Sequence, residues 1–203
     1  MSKSLLQKAA RTTLVVGIVI CLAATGSAME QVPAKSTAVY IGAGASIPVS
    51  PDEFQDFWSV GFHGTIGVGL KVTRTLYIVG KTEYHSMPFS WGTFGVTGVS
   101  GAALRAFMVG GDARFVFGSS SASANGVFFA GLGVANLSFS DISAPGIHIP
   151  LGFEETKLYI NLGGGVEIKT GSTMKVFIQG TVVSVATSGE STGFMPLTVG
   201  LRF

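Results

Sequence analysis

Eight segments of this chain alternate bulky apolar residues with small or polar ones at a period of two, and that pattern constrains the fold more than any other feature. A β-strand sends successive side chains to opposite faces, whereas a helix repeats every 3.6 residues. The clearest segment runs over residues 58–72. Trp58, Val60, Phe62, Ile66, Val68, Leu70 and Val72 share one face, and Ser59, Gly61, His63, Thr65, Gly67, Gly69 and Lys71 the other. Similar alternation recurs over 39–47, 76–85, 107–117, 128–134, 158–169, 176–182 and 197–203. Leu137 and Phe139 fall out of phase with the face begun by Phe128, which predicts a slip or bulge near Asn136.

The smaller face decides which side is inside. On a water-soluble sheet it would face solvent and carry many charges. Here it is rich in glycine, which weakens an exposed strand and adds no solubility. Glycine makes up 29 of 203 residues, against a usual share of about 7%, and charged residues make up 12%. In a narrow barrel small inward residues relieve crowding, and eight strands leave an interior that side chains just fill. The predicted fold is therefore all-β: an eight-stranded antiparallel up-and-down transmembrane β-barrel over residues 37–203, apolar side outward, glycine and polar side inward. The sheet has to close, because an unpaired backbone group in hydrocarbon costs several kcal/mol. A soluble periplasmic barrel with its apolar face inward is the rival.

Connection lengths orient the barrel. The links near 72–76, 117–126 and 169–174 are short, and those near 48–56, 87–102, 140–155 and 185–193 are longer on average. Membrane barrels keep short turns and both termini on the periplasmic side. Phe115, Phe117, Phe128 and Phe203 then lie near that side, and Trp58, Phe62, Tyr84, Phe107 and Phe139 near the outer one, as two interfacial girdles require.

The N-terminus reads as a targeting segment. Lys3, Lys8 and Arg11 precede an apolar run over 14–24, and Gly26-Ser27-Ala28 supplies small residues for cleavage. Residues 1–28 are expected to be a cleaved signal peptide, followed by a short segment over 29–36. Cys21 follows Ile18, Val19 and Ile20 rather than a small residue, which disfavours lipoprotein processing. The mature chain then has no cysteine and no disulfide framework. Without Lys3, Lys8 and Arg11, the 13 basic residues become 10 against 11 acidic ones, so no basic surface points to nucleic acid.

The terminal repeat Leu197-x-Val199-x-Leu201-x-Phe203, with glycine-rich strands such as Gly42-Ala43-Gly44 and Gly131-Leu132-Gly133, resembles the small outer-membrane β-barrel proteins. These include opacity-type surface proteins and the transmembrane domain of outer-membrane protein A. The resemblance spans about residues 36–203. It implies residence in the outer membrane of a Gram-negative-type bacterium and contact with outer-membrane lipid and lipopolysaccharide. It also implies recognition of Leu197, Val199, Leu201 and Phe203 by the barrel-assembly machinery. The barrel accounts for the chain up to Phe203, so no peptidoglycan-binding domain is expected.

Lys81, Glu83, Asp112, Arg114 and Glu167 are expected in the lumen, either as a space-filling charge network or as a polar pathway, since buried charges persist only when paired. Glu83, His85 and Ser86 are near neighbours in sequence, but Ser86 falls on the opposite face from His85, so a hydrolase constellation is disfavoured. Gly42 to Ser46 precedes no helix and so cannot cradle a phosphate as a nucleotide loop does. No histidine and carboxylate spacing marks a metal site, and no cofactor is expected. Phe89, Trp91 and Phe94 in one loop, and Ile147, Ile149 and Leu151 in another, offer either a binding surface or a lid. The leading functional expectation is a non-enzymatic surface protein with a structural or loop-mediated binding and adhesion role. A narrow porin-like channel for small solutes and a lipid-modifying enzyme are the alternatives.

Overall fold

The computed structural model describes residues 37–119, 122–171, 173–187 and 191–203. The expected signal peptide and the segment over 29–36 lie outside the described residues.

Eight strands form one closed antiparallel barrel: β1 (Thr37–Ser50), β2 (Gly61–Lys71), β3 (Leu76–Met87), β4 (Leu104–Phe117), β5 (Ala124–Phe139), β8 (Glu154–Lys169), β9 (Lys175–Val185) and β10 (Thr192–Arg202). Between β5 and β8 a small hairpin, β6 (Ile142–Ala144) with β7 (Ile147–Ile149), stands apart from the barrel sheet. Each barrel strand pairs with its sequence neighbours, and β1 pairs with β10 to shut the seam. Val39 and Phe203 exchange both backbone hydrogen bonds there, at 3.1 and 3.0 Å. The barrel strands run 11 to 16 residues, enough for the 9–11 or so that a tilted strand needs to cross hydrocarbon.

The period-two faces fall as the alternation requires. Leu132 and Leu158 are 68% and 67% exposed, and Ile66, Val68, Leu70, Val134, Ile160, Val182 and Val199 also point outward. Their neighbours on each strand are buried or half-buried, so the bulky apolar residues clothe the outside. A soluble sheet cannot tolerate so wide an apolar surface, whereas a bilayer requires one. Close approach explains part of the glycine content. A Cβ at Gly110 would collide with the Tyr159 hydroxyl, and one at Gly163 with the Phe129 ring.

Four local expectations need correction. No slip occurs near Asn136: β5 keeps continuous register with β4 and β8 from end to end. Leu137 belongs to the inward phase, and the inner face itself turns apolar there. The loop over 48–56 contains a short helix, α1 (Asp52–Phe57), so β2 begins at Gly61 rather than Trp58. Trp58 does not face lipid. Its ring packs against buried core residues and its indole N–H donates to the Ala102 carbonyl at 3.2 Å. Phe139 likewise stacks on Trp58, with ring centroids 5.8 Å apart, instead of joining an outer girdle.

Candidate functional site

The lumen is layered along its axis. One end carries the short turns together with Thr37 and Phe203, and the other carries the long loops.

The half nearer the turns holds the charges. Lys81 Nζ lies 3.1 Å from both Glu83 Oε2 and Asp112 Oδ2. The second oxygen of Asp112 accepts from Asn161 Nδ2 at 3.0 Å. Closer to the mouth, Glu167 gathers three cations: Arg202 at 2.6 Å, Lys175 at 3.2 Å and Arg114 at 4.0 Å. Arg114 also donates to Gln179 Oε1 at 3.0 Å, and its guanidinium lies over the Phe129 and Tyr40 rings. Arg202 lies over Tyr77, 4.3 Å from its centroid. Alternate residues on one strand share its inner face, which brings Lys81 beside Glu83. The antiparallel register then sets Tyr77 opposite Arg114 and Lys175 opposite Arg202. All five charged residues singled out in the sequence are buried in this layer. Lys175, Arg202, Asn161, Gln179 and the two tyrosines were not singled out. Parity places each of them inward, but the partner each meets depends on cross-strand register. Mutual pairing, hydrogen bonds and aromatic faces together offset the cost of taking these ions out of water.

Above the charges sit His63, His85 and Ser46, all buried. Ser46 Oγ is 2.8 Å from His85 Nδ1 and 3.3 Å from His63 Nδ1, and His63 Nε2 is 2.9 Å from Thr198 Oγ1. A serine next to imidazole is nucleophile chemistry only where substrate can reach it. Ser46 and His85 are each 0% exposed, walled from lipid by the strands themselves. Ser86 pairs across to Phe62 on the outward phase and takes no part. Among the described residues no group of three or more His, Cys, Asp and Glu side chains gathers in a way that could hold a metal.

The half nearer the loops is apolar. Met87, Leu104, Ala106, Met108, Ala135, Leu137, Tyr159, Val183, Val185 and Phe194 form one buried cluster, joined by Phe54 of α1. Above it Trp58 meets Phe54, Phe89 and Phe139, and Phe89 meets Trp91 at 4.7 Å. Trp91 Nε1 donates to the Gly101 carbonyl at 3.2 Å. Phe89 and Trp91 are thus half-buried in a lid and are not free loop aromatics; the Phe94 side chain lies outside the described residues. Ile147, Ile149 and Phe153 remain exposed at this end. Leu197, Val199, Leu201 and Phe203 point outward along β10.

Comparison with known proteins bears on the fold alone. No protein-family model matches the chain, and no curated protein matches it. Among solved structures it is similar to Neisserial surface protein A, at 13% identity over 84% of this chain and 98% of that one, with a TM-score of 0.59. It is also similar to a major outer membrane protein from Thermus thermophilus, at 12% identity over 84% and 99% of the two chains, again with a TM-score of 0.59. The architecture is that of the small eight-stranded outer-membrane β-barrels.

Proposed function

We propose that this chain is an outer-membrane surface barrel with a sealed lumen, whose activity resides in binding by its loop end. The sealed apolar layer carries this reading. Residues lining a water-filled pore keep solvent-exposed surface, yet Met87, Ala106, Met108, Ala135 and Val185 are each 0% exposed. The layer spans the interior between the charges and the loops, and α1 with the Trp58 cluster covers it. The buried charges are then a rigid filling rather than a solute path, which favours the structural and binding role over a porin-like one. Against a hydrolase reading, Ser46 beside His85 is buried beyond the reach of a substrate.

What the loop end offers a partner is the β6–β7 hairpin, with Ile147 and Ile149 exposed beside Asp141 and His148. The first test is adhesion of cells displaying the barrel to host cells, matrix or isolated lipopolysaccharide. An Ile147→Asp, Ile149→Asp variant, confirmed as folded by heat-modifiable gel migration, should lose most of that adhesion. Undiminished adhesion would overturn the loop-end reading, and step-like conductance of the unaltered barrel in planar bilayers would overturn the sealed lumen.

A further inference from the structure

Beside the lid at the loop end lies an apolar cavity of about 240 Å³. Its walls are Phe54 and Trp58 from α1 and its end, Leu104 from β4, Leu137 and Phe139 from β5, and Phe153. Phe153 is 42% exposed, so this wall reaches solvent and the cavity is open to a partner. Covering such walls with apolar surface releases water and is favourable. Volume decides what kind of group fits. Sites for whole small molecules run to about 300–1,000 Å³. This one is smaller and suits a single bulky side chain, the usual anchor of a protein contact. The adjoining loop has none to offer: residues 188–191, between Thr187 and Thr192 in the wall, read Ser-Gly-Glu-Ser.

Charge decides what surrounds that side chain. Glu53 and Glu155 stand in the wall, and among the described residues no Lys or Arg does. The loops at this end cover residues 51–60, 88–103, 140–153 and 186–191. They contain Asp52, Glu53, Asp56, Asp141 and Glu190 and no Lys or Arg, so the excess of acid belongs to the sequence of the whole loops. At the adjoining strand ends Arg105 and Lys157 match Glu154 and Glu155 in number, and Lys157 pairs with Glu155. Asp141 lies against His148. Asp52, Glu53 and Asp56 are exposed on α1, the helix whose Phe54 forms part of the cavity wall.

Resting on the loop-end binding reading above, we infer that this cavity anchors a polypeptide partner through one bulky apolar side chain flanked by lysine or arginine. The apolar contact supplies affinity, because a side chain fully enclosed in a pocket carries most of the binding energy of such an interface. The acids of α1 select a basic neighbour and speed encounter, since complementary charge steers association and suppresses partners of the wrong sign.

The probe is the amidated peptide Lys-Lys-Phe-Lys-Lys, titrated into the full barrel in phosphatidylcholine nanodiscs, with empty nanodiscs as the control. Tryptophan emission follows binding, since Trp58 is in the cavity wall. Saturable binding that weakens with added salt is expected. Replacing the central Phe by Ala, or the flanking Lys by Glu, should weaken it by about tenfold or more. In the barrel, Phe153→Ala and the exposed pair Glu53→Gln, Asp56→Asn should each weaken it several-fold. The peptide series needs no altered barrel, so it decides the matter even where a variant fails to fold. No saturable binding, or equal binding by the Phe and Ala peptides, overturns the anchor. Equal binding by the Lys and Glu peptides overturns the basic partner. A rise in affinity of about tenfold in Phe94→Ala would assign the cavity to that side chain and overturn a partner-filled site. Adhesion that still falls in the Ile147→Asp, Ile149→Asp variant while the peptide fails to bind sinks the pocket alone and leaves the loop-end reading standing.

Discussion

Lys81 shows how one side chain holds the lower lumen together. It neutralises Glu83 and Asp112 at 3.1 Å each, and both carboxylates are buried with it. Lys81→Met leaves two unpaired acids in a closed interior, so a loss of about 3–5 kcal/mol is expected in urea unfolding of the barrel in lipid. Lys157→Met, which breaks the more exposed contact with Glu155, should cost about 1 kcal/mol or less. Equal losses would show that the interior pairs do not bear on stability. Polar character and parity make Lys81, Glu83, Asp112, Arg114 and Glu167 legible from sequence as inward residues. Their partners are not, because Lys175 is 8 residues from Glu167 and Arg202 is 35 away. Only the pairing of strands makes those distances short.

At the level of the strand, alternation is a strong signal because every second residue meets the same environment. Leu132, midway along β5, is 68% exposed toward lipid. Leu132→Arg should destabilise the barrel by about 2–4 kcal/mol, read as a fall in the urea midpoint. Ile149→Arg in β7, which stands off the barrel sheet, should leave that midpoint unchanged; a similar fall would contradict the placement of the hairpin outside the membrane belt. The same signal fails where both faces are apolar. Along β5 the inner phase runs Gly131, Gly133, Ala135, Leu137, so the inward residue becomes larger and greasier toward the loops. Read as a strand of constant character, that change looks like a slip in phase. It is instead the point where the lumen passes from charged filling to apolar filling. The helix α1 was hidden for a related reason: six residues are too few to display a helical period, and its one buried residue, Phe54, is anchored by contacts that only the closed barrel provides.

For the molecule as a whole, orientation follows from the alternation of short turns and long loops. Ile147→Cys should react with a membrane-impermeant maleimide on intact cells, and Thr170→Cys, in the turn between β8 and β9, only after the outer membrane is permeabilised. Reversed labelling would invert the barrel. The lone cysteine, Cys21, lies within the expected signal peptide and outside the described residues. The sequence by itself determined the strand count, the closed membrane barrel and which residues face lipid, because these depend on local periodicity and on the solvent each face must meet. Only the tertiary structure decided that a buried apolar cluster around Met108 and Phe194 fills the loop-side half of the lumen, that Phe89 and Trp91 pack with Trp58 above it, and that Lys175 and Arg202 converge on Glu167. Those outcomes depend on the stagger between neighbouring strands, which sets side chains from distant segments at the same height and which no single strand encodes.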